Sequence, residues 1–93
     1  MNLKEYIDEI TLLPQECEGS CKFEGTTVMT SGFQASMGEE LAPLISTAAI
    51  EKIKKERPNA DYLQVCEFRG IRFWIFDEVE YGGAVTVLLP EEY

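Results

Sequence analysis

Apolar residues recur at every third or fourth position in two stretches of the chain, the spacing of one helix face. The first stretch contains Leu3, Tyr6, Ile7 and Ile10 and predicts a short N-terminal helix within residues 3–13. The second stretch has the stripe Leu41, Leu44, Ile45, Ala48, Ala49 and Ile53. Because Arg57-Pro58-Asn59 stops a helix, we place the main helix at residues 42–57. Pro43 fits only its first turn, and Ser36 to Glu39 has the spacing of a capping box.

The remainder of the chain has the composition of β-strands. Residues 61–68, 71–77 and 84–89 are rich in β-branched and aromatic residues, and the turns Arg69-Gly70 and Tyr81-Gly82-Gly83 separate them. Residues 22–31 also suit extended structure, with an interruption at Gly25.

Alternation within the three later strands predicts two sheet faces. One parity is wholly apolar, and we expect it to pack on the main helix: Leu63, Val65, Ile71, Phe73, Ile75, Val85, Val87 and Leu89. The other parity is mixed: Tyr62, Gln64, Cys66, Arg72, Trp74, Phe76, Ala84 and Thr86. Either the N-terminal helix or residues 22–31 cover this second face, or it binds a partner or a second copy. In the latter case the binding residues are Tyr62, Gln64, Arg72, Trp74 and Phe76, since Trp, Tyr and Arg are typical interface anchors.

These elements predict one α+β domain over residues 1–93. We expect a three- to four-stranded, mostly antiparallel sheet packed on one main helix at about 42–57, with a short N-terminal helix. The alternative is an α/β/α sandwich with the two helices on opposite faces of the sheet.

The charge balance narrows the classes of function. Asp plus Glu is 17 and Lys plus Arg is 8, which gives a net charge of −9, and histidine is absent. A Ser-His-Asp triad is therefore excluded, and direct nucleic-acid binding is disfavoured because phosphate contacts need clustered cations. Carboxylates can instead imitate phosphates in the basic channel of a host protein. The candidates for such an acidic surface are Glu5, Asp8, Glu9, Asp77, Glu78, Glu80, Glu91 and Glu92.

The three cysteines offer little chemistry. Cys17, Cys21 and Cys66 would need a fourth ligand to hold zinc, with no histidine to provide it. Cys66 lacks a neighbouring base that would make it a nucleophile. We expect no catalytic residue, no cofactor and no metal site, and whether the thiols are free, bridged or metal-bound stays open.

Short phrases in the second half of the chain resemble a known family. They are Thr30-Ser31-Gly32-Phe33, residues 61–68 with Asp-Tyr-Leu-Gln-Val, residues 73–77, and the ending Leu-Leu-Pro-Glu-Glu-Tyr. This pattern resembles a family of short uncharacterised proteins from phages and conjugative elements of Gram-positive bacteria. The chain differs in its additional residues through Lys22 and in lacking an insert at the strand hairpin. The resemblance implies a mobile-element accessory protein and carries over no catalytic residue.

From the sequence we therefore expect a small, acidic, non-enzymatic module that binds a protein partner. A nucleic-acid mimic that inhibits a host defence or nucleic-acid enzyme is the first alternative, and a small metal protein or enzyme is the second. No run of about 18 apolar residues occurs, so we expect no membrane contact and a cytoplasmic location. A homodimer through Tyr62, Trp74 and Phe76 is a further expectation.

Overall fold

Three helices and a five-stranded sheet form the fold in a computed structural model, which describes residues 2–78 and 83–93. The helices are α1 (Leu3–Glu9), α2 (Ser31–Met37) and α3 (Leu41–Glu56). The strands are β1 (Thr11–Leu12), β2 (Thr27–Met29), β3 (Leu63–Phe68), β4 (Ile71–Asp77) and β5 (Val85–Leu88), and a 3-10 turn (Pro90–Glu92) follows. The predicted turn at Tyr81-Gly82 lies outside the described residues.

The sheet has the strand order β1-β3-β4-β5-β2. Its pairs are antiparallel except for β2 with β5, which is parallel, so the sheet is mixed. The α+β class is confirmed, and the prediction of three to four strands is too low. Helix α1 ends at Glu9 rather than continuing toward Leu13, because Thr11 and Leu12 pair with β3 as an edge strand.

All three helices contribute to one layer on one side of the sheet. Helix α1 packs against α3, and the Lys52 ammonium donates to the carbonyls of Ile7 (2.9 Å) and Ile10 (2.6 Å). Those carbonyls belong to the C-terminal end of α1, where a cation is favoured. The sandwich with helices on opposite faces is therefore wrong, and so is the idea that α1 covers the second sheet face.

Helix α2 was not predicted, because Thr30 and Ser31 suit a strand as well as a helix start. Thr30 is its N-cap, and the Glu92 carboxylate accepts from the Thr30 hydroxyl (2.5 Å) and the Gly32 amide (3.1 Å). These hydrogen bonds lower the pKa of Glu92. The capping box at Ser36 is wrong, since Ser36 lies inside α2. The main helix is shifted by one residue, with Pro43 in its first turn as expected.

The two-residue turn of the β3–β4 hairpin decides which side chains share a face. Arg69 and Gly70 both have positive φ, as a tight hairpin turn requires. Phe68 therefore pairs with Ile71, and Cys66 pairs with Phe73, so even positions of β3 lie beside odd positions of β4. The predicted faces are correct for β4 and β5 and wrong for β3.

The buried core lies between the helix layer and one sheet face. Its sheet residues include Cys66, Phe68, Phe73, Ile75, Val85 and Val87, and its helix residues include Phe33, Ile45, Ala49 and Ile53. Phe23 belongs to the same core, so residues 22–31 do not cover the opposite face either. Among the residues described, no helix is long and apolar enough to cross a lipid bilayer.

Candidate functional site

The sheet face opposite the core carries a cluster of aromatic side chains. We call it the open face and define it by Leu63, Val65, Trp74, Phe76 and Leu88. The strand register places these residues side by side, because Leu63 pairs with Phe76, Val65 with Trp74, and Trp74 with Leu88. No helix among the described residues covers this face.

Four rings contact one another on the open face. Phe76 is stacked between Tyr62 (centroids 5.7 Å apart) and Tyr93 (5.2 Å), and Trp74 meets Phe76 edge-on at 6.1 Å and Tyr93 at 5.5 Å. Phe76 is only 5% exposed, whereas Tyr62 is 51% and Tyr93 is 80% exposed. Phe76 thus forms the floor of the cluster, and the two tyrosines present their rings to solvent.

The hairpin end of the open face is polar. Glu67 and Arg72 are directly paired across β3 and β4, and their charged groups are 3.3 Å apart. Both side chains are half exposed, so the pair is screened by solvent and adds little stability. The predicted site residue Arg72 is therefore on the open face, at the end away from the exposed tyrosines.

A shallow cavity of about 290 Å³ adjoins Tyr62. Its lining includes the acidic residues Glu16 and Asp61, the aromatic residue Tyr62 and the apolar residues Leu63 and Val65. Its volume is near the lower limit of the ~300–1,000 Å³ of small-molecule sites. The cavity therefore has room for a side chain rather than for a large ligand.

Gln64 belongs to the core face and is completely buried, so it is not available to a partner. Its amide oxygen accepts from the Arg57 guanidinium, and its amide nitrogen donates to Gln15 Oε1 (2.8 Å) and to the Asp61 carbonyl (3.0 Å). Arg57 also donates to the Leu13 carbonyl at 2.5 Å. These bonds fix the loop that forms one wall of the cavity.

The predicted acidic residues do not form one array. Glu5, Asp8 and Glu9 lie on α1 in the helix layer, and Glu9 pairs with Arg69 at 2.9 Å. Three others lie in different parts of the fold. Asp77 accepts a hydrogen bond from the Phe23 amide (2.8 Å), Glu92 caps α2, and Glu91 is exposed on the 3-10 turn. Glu78 is exposed. Glu80 lies outside the described residues.

The cysteines occupy three different environments: Cys17 is exposed, Cys21 is half-buried and Cys66 is buried. Burial raises the pKa of Cys66 to about 12, because its effect is larger than the lowering by the positive charges of Arg57 and Lys52. In the described part of the chain, no three or more Cys, Asp or Glu side chains are grouped so that they could hold a metal ion.

Sequence reasoning missed two parts of this site. Tyr93 follows the last predicted strand, so no alternation places its ring on the open face. The alternation of β4 and β5 does indicate that Leu88 shares a face with Trp74. The cavity joins Glu16 to Asp61 across 45 positions of sequence, and no local pattern signals that contact. Comparison with protein-family models, with curated proteins and with solved structures finds no significant match to the chain.

Proposed function

We propose that this chain is a non-enzymatic module that binds a protein partner on its open face. The cluster of the exposed tyrosines Tyr62 and Tyr93 with the half-buried Trp74, on a sheet face that no helix of the described residues covers, is the observation that carries this proposal. Aromatic side chains dominate the binding energy of protein interfaces because they bury a large area with few rotatable bonds.

The pattern of the open face supports a binding role over a solvated one. An antiparallel sheet whose second face contacts water normally places polar side chains there. Here Leu63, Val65 and Trp74 occupy the central positions, and the charged pair of Glu67 and Arg72 lies at the hairpin end. A contiguous apolar patch with a polar rim is typical of an interaction surface.

A mobile-element origin is part of the proposal and rests only on the resemblance of residues 28–93. The net charge of −9 supports a role in binding a partner, because charge of one sign speeds association with an oppositely charged surface. No observation favours the nucleic-acid mimic, because the acidic residues are dispersed over separate parts of the fold.

Position-specific photo-crosslinking tests the proposal. A benzophenone side chain replaces Tyr62 in one protein, and it replaces Leu44 in the control. Leu44 suits this comparison because it is 43% exposed on α3, away from the open face. In lysate of cells that encode the chain, we expect a discrete cross-linked product from position 62 and none from position 44.

Two substitutions complete the design. In the protein that carries the cross-linker at position 62, Tyr93→Ala should weaken capture about ten-fold or more, the usual effect of truncating an interface aromatic, while Leu44→Ala should not. Equal products from both positions, or no product from position 62, would contradict the proposal. Capture that disappears at moderate salt and does not change with Tyr93→Ala would favour the nucleic-acid mimic instead.

A further inference from the structure

The aromatic cluster and the cavity are one continuous surface. Tyr62 stacks on Phe76 at 5.7 Å and also lines the cavity together with Leu63 and Val65. A segment that lies across the rings of Trp74 and Phe76 therefore reaches the cavity without crossing a gap. An occupant of the open face therefore contacts both the aromatic rings and the cavity beside Tyr62.

Charge determines which side chain the cavity accepts. Glu16 and Asp61 are carboxylates in its lining, and the lining contains no Lys or Arg. On the described strands of the open face, Arg72 is the one cation, and Glu67 already pairs with it at the hairpin end. A cation beside Tyr62 gains from the carboxylates and from the face of the ring.

We propose that the open face binds an amphipathic segment of a partner protein that places an Arg or Lys side chain in the cavity beside Tyr62. Apolar side chains of the same segment pack on Trp74, Phe76 and Tyr93. This inference rests on the proposed function and specifies the chemistry of its partner. A second copy of the chain is a poor occupant, because its own open face offers only the Arg72 that Glu67 neutralises.

A displayed library of random 12-residue peptides supplies the probe. The library is panned against the immobilised full chain and counter-selected on the Tyr62→Ala variant. Enriched peptides are then titrated into the free protein. Trp74 is the only tryptophan in the chain and lies on the open face, so its fluorescence reports occupancy directly.

The double variant Glu16→Gln/Asp61→Asn isolates the role of charge. Asn at position 61 keeps the side-chain oxygen that accepts from the Tyr62 amide at 2.9 Å, so the local backbone is preserved. The matched control is Asp8→Asn/Glu51→Gln, which removes the same charge from α1 and α3 in the helix layer. We expect enriched peptides to combine an Arg or Lys with apolar residues. Their affinity should fall about ten-fold in the double variant, as for a charge-assisted contact, and stay unchanged in the control.

Four results would overturn the inference. Enrichment of peptides without a cation, or equal loss in both double variants, would show that the cavity does not select charge, while the open face would remain a docking surface. The inference would also be overturned if no peptide binds the native chain in preference to the Tyr62→Ala variant. Sedimentation showing a dimer that Tyr62→Ala dissociates would assign the open face to a second copy, whereas photo-crosslinking separately decides the proposed function.

Discussion

Replacing Gln64 with Met should destabilise the fold strongly although the two side chains are similar in size. The substitution removes the acceptor of the Arg57 guanidinium and two donor bonds, to Gln15 Oε1 and to the Asp61 carbonyl. A bond to a charged group contributes about 1.5–3 kcal/mol and a neutral one about 1 kcal/mol. Greater apolar burial of Met offsets part of this loss. We expect the free energy of unfolding to fall by about 2–3 kcal/mol, a large share of the ~5–15 kcal/mol of a natural domain.

Urea unfolding measures this effect, with Trp74 fluorescence and circular dichroism as two independent signals. For a domain of this size, a loss of 2–3 kcal/mol corresponds to a fall in Tm of roughly 10–20 °C. The matched control is Glu67→Met on the same strand, which faces solvent and should change stability by less than about 1 kcal/mol.

A double-mutant cycle with Arg57→Met separates the network from simple repacking. Removing both partners of the guanidinium–amide bond should cost less than the sum of the single losses, because neither group is then left without its partner. A Gln64→Met loss below about 0.5 kcal/mol, the usual effect of a neutral surface change, would refute the reasoning. Strictly additive losses in the cycle would refute the direct coupling.

Three further predictions concern the α2 cap and the thiols. Because hydrogen bonds lower the pKa of Glu92, its contribution to stability is complete above the ordinary glutamate pKa and is lost as pH falls toward the lowered value. Urea titrations from about pH 6 to about pH 3 should therefore show a flatter acid decline in Glu92→Gln than in Glu91→Gln, and equal slopes would contradict this. Gly32→Ala should destabilise the fold, since its Cβ would lie 2.6 Å from the Glu92 carboxylate that caps α2. This loss should not add to that of Glu92→Gln, because both substitutions disturb the same cap. Additive losses in the same urea titrations would exclude this shared cause. With the pKa of Cys66 raised to about 12, Ellman's reagent at about pH 8 should modify Cys17 in the native protein and Cys66 only after unfolding, as mass spectrometry of labelled peptides would show.

Local patterns were sufficient where each element carries its own signal. The apolar stripe and the Arg57-Pro58 stop placed α3 within one residue at both ends. Alternation placed Phe73 and Ile75 in the core, and it placed Trp74 on the opposite face. The positions of these residues follow from the hydrophobic pattern of neighbours that are close in sequence.

Long-range contacts account for the rest. Helix α2 begins at Ser31 because Glu92, 60 positions after Gly32, accepts from its first turn. Gln64 lies on the core face because the turn at Arg69-Gly70 sets the strand register, which places even positions of β3 beside odd positions of β4. The cavity at Tyr62 likewise requires loop residues 14–17 to lie against β3, a contact that no periodicity encodes.

The edges of the sheet carry a consequence for self-association. Edge strand β1 has two residues and edge strand β2 has three, so each offers only a short row of backbone groups for pairing with another chain. Long flat edges are the usual templates for strand addition and amyloid growth, and short ones limit both. At high concentration, therefore, this chain should resist polymerisation through its backbone.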